Sequence, residues 1–273
     1  MADGQPHADH HHHDHRAALA ALPEGRVAAL SQPADGPGLR RLAGHLGLLA
    51  ATGAAILALP GWWALPAMLA HGVTLVFLFA AMHEATHRTA FATRRLNDAV
   101  AWGAGFLLLL PPRAFRYYHF AHHRHTQDPE RDPELATPKP ATLGAYLWRL
   151  TGLPTWRAQV AALLVAASGQ PQPAHVPPRG QGPVRAEARL FLGLYAGVAG
   201  LSLAAGSALA LWLWAVPALL GQPFLRAYLL AEHTACPLVP DMLVNTRTTF
   251  THRAVRWLAW EMPWHTAHHV APT

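Results

Sequence analysis

Apolar positions along the chain fall into long blocks rather than into short alternating patterns. Residues 42–59 ("LAGHLGLLAATGAAILAL"), 62–82 ("WWALPAMLAHGVTLVFLFAAM") and most of 190–231 are nearly free of charge. A helix needs roughly 20 apolar residues to cross a hydrocarbon core. The last block is about twice that length, so it predicts a hairpin turning near Gly206–Ser207. Four spanning helices follow, because backbone in lipid must bond to itself. Residues 97–110 ("NDAVAWGAGFLLLL") are apolar too, but 14 residues make a helix of only about 21 Å. With basic residues on both flanks, that segment predicts a re-entrant or interfacial piece returning at Pro111–Pro112. Residues 143–166 mix Leu, Tyr and Trp with Arg149 and Arg157, as an interfacial helix does. The proline-rich stretch 168–187 reads as a linker, and Gly193 and Gly197 as a small-xxx-small pair for close helix contact. Residues 1–38 show no apolar period, contain "HADHHHHDH" and then Pro/Gly-rich sequence, and read as a disordered tail before a membrane domain over 39–273.

Composition agrees with a lipid environment. Only 13% of the 273 residues are charged and 52% are hydrophobic, whereas soluble domains carry about 25% charged residues. The placement of charge adds direction. Arg40 and Arg41 precede the first block and Arg88, Arg94 and Arg95 follow the second, while "PGWW" and "AGSA" carry no charge. The positive-inside rule then puts both termini and the central segment in the cytoplasm. A net charge of +6 points to anionic lipid heads or an acidic protein partner rather than nucleic acid. Cys236 is the single cysteine, which excludes a disulfide framework within the chain. The start has no charged-then-apolar pattern of a cleaved signal peptide, and no solenoid repeat is evident.

Histidine supplies the candidate chemistry. Three clusters fall on one predicted side of the membrane: "HEATH" with His83 and His87, "HFAHH" with His119, His122 and His123, and "HTAHH" with His265, His268 and His269. His233, in "AEHT", lies at the same depth. Spacings of three and four put imidazoles on one helix face, where both reach one ion. In each H-x-x-H-H box the adjacent histidine points elsewhere and is available to a second metal. The pattern therefore predicts a dinuclear, all-histidine site, and imidazole alone does not choose among Zn, Fe, Cu and Ni. His45, His71, His175 and His252 read as ordinary hydrogen-bonded residues, and His125 stands apart from the ligand set. Two other readings compete. "HEATH" satisfies H-E-x-x-H, in which Glu84 would be the base of an intramembrane zinc protease, but three zinc ligands would leave six clustered histidines without a role. A metal transporter fits the His-rich start, yet transporters place ligands near the bilayer midplane rather than at helix ends.

These boxes, in this order and on this side, resemble the membrane fatty acid desaturase superfamily over roughly residues 60–270. "HHRHTQDPERDPE" and "AEHT…NTRTT" are similar to a bacterial branch of it. The resemblance implies an all-α integral membrane protein with a four-helix stem and a cytoplasmic cap holding two non-haem irons, in a bacterial inner membrane. It implies His83, His87, His119, His122, His123, His233, His265, His268 and His269 as ligands. Asp128, Asp132, Glu84, Glu232 and Glu261 are then candidates to accept N–H bonds from the ligand rings. The implied activity is O₂-dependent hydrogen abstraction from a lipid acyl chain, by a desaturase or else by a hydroxylase or ketolase acting on a lipid, alkane or carotenoid. Two electrons come from a donor; no "HPGG" segment is present, so a separate ferredoxin-like, acidic protein is expected. The three-residue gap between His83 and His87 makes acyl-CoA a weaker choice of substrate. The chain stops four residues after His269, where relatives continue into a tail, so a truncated product is expected.

Overall fold

The structure, a computed structural model, describes residues 15–272; the histidine run of the first 14 residues lies outside the described residues. Residues 15–272 are helices and connections, with no strand among them. Two short helices, α1 (His15–Ala20) and α2 (Arg26–Leu30), precede the long α3 (Asp35–Ala58). Asp35 fixes the start of α3 to another element, accepting hydrogen bonds from Thr93 N at 2.8 Å and Thr93 Oγ1 at 2.6 Å. Helix α4 (Ala64–Val76) continues through Phe77 into α5 (Leu78–His87). Among the described residues, three helical stretches are long and apolar enough to cross a membrane: Asp35–Ala58, Gly61–His87 and Pro178–Ala204. Their outward faces suit lipid, with Leu203 83% and Trp62 85% exposed.

Arg88, in the left-handed conformation at φ 67°, stops α5, and the chain then turns into α6 (Arg94–Leu107). Arg94 and Arg95 thus form the first turn of α6 rather than a flank outside it. At its far end Leu110 N bonds to Gly105 O at 2.8 Å with Leu109 at φ 55°. Pro112 begins α7 (Pro112–His125) at a position that needs no N–H. The segment 97–110 therefore ends in a turn that leads the chain straight into α7. Met82 and Ala85 of α5, Ala101 and Ala104 of α6 and Phe115 of α7 share one buried cluster. That packing carries the second histidine box back beside the first.

Helices α8 (Leu143–Leu150) and α9 (Leu153–Ser168) follow, with Leu143, Leu147 and Trp148 exposed. The stretch read as a linker over 168–187 is a linker only to Pro177, for α10 (Pro178–Ala204) takes up the rest. Prolines misled that reading: Pro178 occupies the first turn, where proline is at home, and Pro183 is carried inside the helix. After α10 the chain reverses at Gly206, φ 57°, as the apolar block predicted. One π-helical stretch, Leu211–Ala215, runs on into α11 (Val216–His233).

Close helix contact occurs elsewhere than at Gly193 and Gly197, where an added Cβ would meet nothing within 4 Å. It is Gly72 of α4 and Gly221 of α11 that touch. A Cβ on Gly72 would lie 2.0 Å from Pro217 O, and one on Gly221 would lie 2.2 Å from Gly72 O. Short helices α12 (Met242–Asn245), α13 (Arg253–Leu258) and α14 (His265–Val270) close the chain over the ends of α5, α7 and α11.

Candidate metal centre

Each histidine cluster sits at a helix end, and the turns after or before those helices aim it. Helix α5 delivers His83 and His87 one turn apart, α7 delivers His119, His122 and His123 in its last two turns, and α11 ends at His233. The six-residue α14 carries His265, His268 and His269 and follows a sharp corner with Trp260 at φ 52° and Glu261 at φ 65°. Glu261 pins that corner to α3: its carboxylate accepts from Arg41 at 3.1 Å, Arg256 at 2.9 Å and Trp264 Nε1 at 3.2 Å.

The nine imidazoles gather into two groups. His83, His87, His119, His123 and His268 form one; His122, His233, His265 and His269 form the other. Within each, the ligand nitrogens lie within 4.8 Å of one another. Both adjacent pairs, His122–His123 and His268–His269, are divided between the groups. His125 belongs to neither. His45 and His71 are satisfied elsewhere, His45 Nε2 with Thr74 O at 2.8 Å and His71 with Thr52 Oγ1 at 2.8 Å and Leu213 O at 3.0 Å.

Chemically, the groups fit metal ions better than they fit one another. A neutral imidazole carries one N–H, so two facing nitrogens are satisfied only if one of them holds the hydrogen. His119 Nε2 faces both His87 Nε2 at 2.7 Å and His123 Nε2 at 3.1 Å. His265 Nε2 faces His233 Nε2 and His269 Nε2, each at 3.0 Å. His83 Nε2 and His268 Nε2 are buried without any hydrogen-bond partner. A cation at each convergence would take up these lone pairs, and an all-imidazole donor set suits Fe, Zn, Cu or Ni.

Protonation states agree. Burial, reinforced by neighbouring imidazoles, holds His119, His265 and His269 well below the usual histidine range. The same causes lower His123 and bring His268 down to about 3. Neutral rings are what a metal requires. His122 differs: burial opposes its charged form, but Glu134 and Asp132 outweigh burial and raise its pKa.

Acids and polar groups stand behind several of the rings, beside their outer nitrogens. His122 Nδ1 donates to Asp132 Oδ1 at 2.9 Å and lies 3.2 Å from Glu134 Oε2. Glu84 Oε1 stands 3.3 Å from His83 Nδ1 and 3.8 Å from His268 Nδ1, and Glu232 Oε1 stands 3.7 Å from His265 Nδ1. Two sequence candidates face elsewhere. Asp128 accepts from Glu130 N, Arg131 N and Arg131 Nε, so it closes its own turn. Glu261 is taken by the arginines of the α13–α14 corner. Three other groups occupy such positions: Glu134, Thr126 Oγ1 at 3.2 Å from His269 Nδ1, and Asn245 O at 3.1 Å from His233 Nδ1. Thr126 lies three residues after the second box and Asn245 opens "NTRTT", so their nearness to those motifs was the available signal.

Asp132 also accepts from Gln127 N at 2.8 Å and Glu134 N at 2.9 Å. Asp132→Asn is therefore expected to lower metal affinity or activity about 10- to 100-fold. Asp128→Asn should leave both unchanged. Metal retention under a chelator challenge checks the pair.

A cavity of about 750 Å³ adjoins both groups, reaching His83 and His119 of one and His122, His233 and His265 of the other. Much of its wall is apolar, with Phe79, Phe115, Leu163, Ala166, Val184 and Ala188 among the lining residues, and Glu134, Lys139, Arg149, Arg226 and Glu232 line it too.

The described residues are thus helical throughout, with three helices of membrane-crossing length and two imidazole groups beside a largely apolar cavity. The comparisons supply the family. The model of the fatty acid desaturase family matches residues 60–273, most of the chain, and the protein belongs to that family. Among curated proteins, an sn-1 oleoyl-lipid 12-desaturase of Picosynechococcus sp. is 31% identical over 114 residues. That match covers 39% of this chain and 33% of the relative, so the chain spans a third of the curated relative it resembles.

Proposed function

We propose that the protein is a membrane-bound, O₂-dependent diiron desaturase of lipid acyl chains. One observation carries the reading: both imidazole groups line the same apolar cavity. Its volume lies within the range of sites that enclose a whole small amphiphile. His83, His87, His119, His123 and His268 would hold one iron and His122, His233, His265 and His269 the other. Bound there, the two irons supply activation of dioxygen for attack on an unactivated C–H bond. The net reaction removes two hydrogens from adjacent chain carbons and reduces O₂ to two waters, with two electrons and two protons from an external donor.

This chain's own residues do the rest. Phe79, Phe115 and Leu163 exclude water and hold an acyl chain straight past the histidines. Asp132, Glu134, Glu84 and Glu232 orient the rings and offset metal charge. Glu84 stands behind His83 and His268, at their Nδ1 atoms, whereas the base of a zinc protease must reach a water on the metal side. The relative's oleoyl-lipid substrate favours a membrane lipid over other substrates.

The topology follows the same reading. Residues 209–233 supply a fourth span beside the three apolar helices, with the histidine ends of α5, α7 and α11 and the overlying α12–α14 forming a cytoplasmic cap. The domain runs over 39–273 in a bacterial inner membrane with both ends inside. Arg40, Arg41 and Arg256 on that side suit an acidic, ferredoxin-like electron donor.

Expression in a host with saturated lipids is the test. New double bonds in host acyl chains, dependent on O₂, are expected. Hydroxylated chains without alkenes would assign the protein to the hydroxylases of the same superfamily, and peptide hydrolysis lost in Glu84→Gln would replace the reading with a protease.

A further inference from the structure

Arg226 has no place in the centre just described. It lies on α11, seven residues before His233, hence about 10 Å from it along the helix. Its side chain lines the cavity, and its Nε is buried with no hydrogen-bond partner. It forms no ion pair within the described residues. Of the charges around it, Arg149 acts most strongly and repels it, while Glu232 and Glu134 attract it more weakly. Arg149, from α8, lines the same cavity and gives Nη1 to Pro138 O at 3.2 Å. Of the two cavity acids, Glu134 lies 3.2 Å from His122, and Glu232 lies 3.7 Å from His265 without a hydrogen bond to it.

Two guanidiniums thus share one largely apolar cavity, and among the described residues neither is ion-paired to the acids that also line it. An ionised side chain in such surroundings is costly unless paired, and an arginine within a spanning helix is kept for a purpose. Guanidinium presents a planar fork of N–H donors that matches an oxyanion. Most of the remaining wall is apolar, and Lys139 adds a third cation to it. We propose that Arg226, together with Arg149, binds the oxyanion on the head of the acyl substrate, a carboxylate or a phosphate. The head is then held at a set distance from the histidines, so the reacting carbon is selected by counting from the head group. This inference rests on the cavity being the acyl site.

The test uses the purified full chain in neutral detergent, with a neutral alkyl fluorophore seated in the cavity and displaced by oleate, oleoyl-lysophosphatidate or methyl oleate. At least one anionic competitor should bind about 10- to 100-fold more tightly than the ester. Which of the two wins identifies a carboxylate or a phosphate as the natural head. Arg226→Gln should bring anion and ester within about threefold of each other, and Arg226→Lys should keep part of the preference. If Arg226→Gln does not fold, Arg226→Lys and Arg149→Gln carry the test, each reducing the preference. Equal binding of all three by the wild type, or a preference that survives these substitutions, overturns the proposal while leaving the acyl cavity intact. Failure of every competitor to displace the fluorophore removes the acyl reading, and this inference with it.

Discussion

Replacing His119 by alanine is expected to abolish turnover and to empty the group of five imidazoles to which it belongs. His119 Nε2 is the atom on which that group converges, 2.7 Å from His87 and 3.1 Å from His123. It is buried, and its ring stacks on Phe115 with centroids 5.2 Å apart. Alanine at this point removes a donor and leaves a hole that no neighbouring side chain fills. Loss of a direct ligand should exceed the 10- to 100-fold effect of losing a group behind a ligand. His71→Ala, which loses bonds to Thr52 and Leu213 only, should keep its metal. Metal content and product formation measured on both proteins check this, and full activity in His119→Ala would sink the ligand assignment.

Gly72→Val is expected to prevent accumulation of folded protein, an effect of comparable size with a different origin. The added Cβ would lie 2.0 Å from Pro217 O and 2.8 Å from Pro217 C, both backbone atoms that cannot rotate away. Helices α4 and α11 would have to part by more than an ångström. Overpacking of this kind costs about 1–3 kcal/mol and sometimes more. Here the strain also reaches the centre, because α4 leads into His83 and α11 ends at His233. Gly193→Val makes a control, since a Cβ there meets nothing within 4 Å. Detergent size-exclusion and thermal unfolding should show Gly72→Val aggregated or strongly destabilised and Gly193→Val unchanged. A normal profile for Gly72→Val would contradict the α4–α11 crossing.

The difference between those two glycines shows what the sequence could and could not convey. Hydropathy depends on run length alone, so the apolar blocks and the reversal at Gly206 were legible. Histidine spacing depends on helix period alone, so the boxes and their divided adjacent pairs were legible too. Which face of a helix meets a neighbour depends on the whole packing. Gly193 and Gly197 had the right spacing and face open space, while Gly72 and Gly221, far apart in sequence, touch. The acids after the second box make the same point at smaller scale. Asp128 and Asp132 both precede a proline, but Gln127 at φ 63° turns the chain so that Asp132 meets His122 and Asp128 meets Arg131. That turn also brings Glu134 to His122, which no spacing rule foretold. Proline count misled in 178–187, where position within the first turns of α10 mattered more than number.

The central claim is that nine imidazoles hold two metal ions in one centre. Quantitative metal analysis of the purified full chain, with optical absorption on the same sample, tests it most directly. Two irons per chain are predicted, with His119→Ala and His265→Ala each losing iron. One zinc per chain, retained in His265→Ala, would contradict the account.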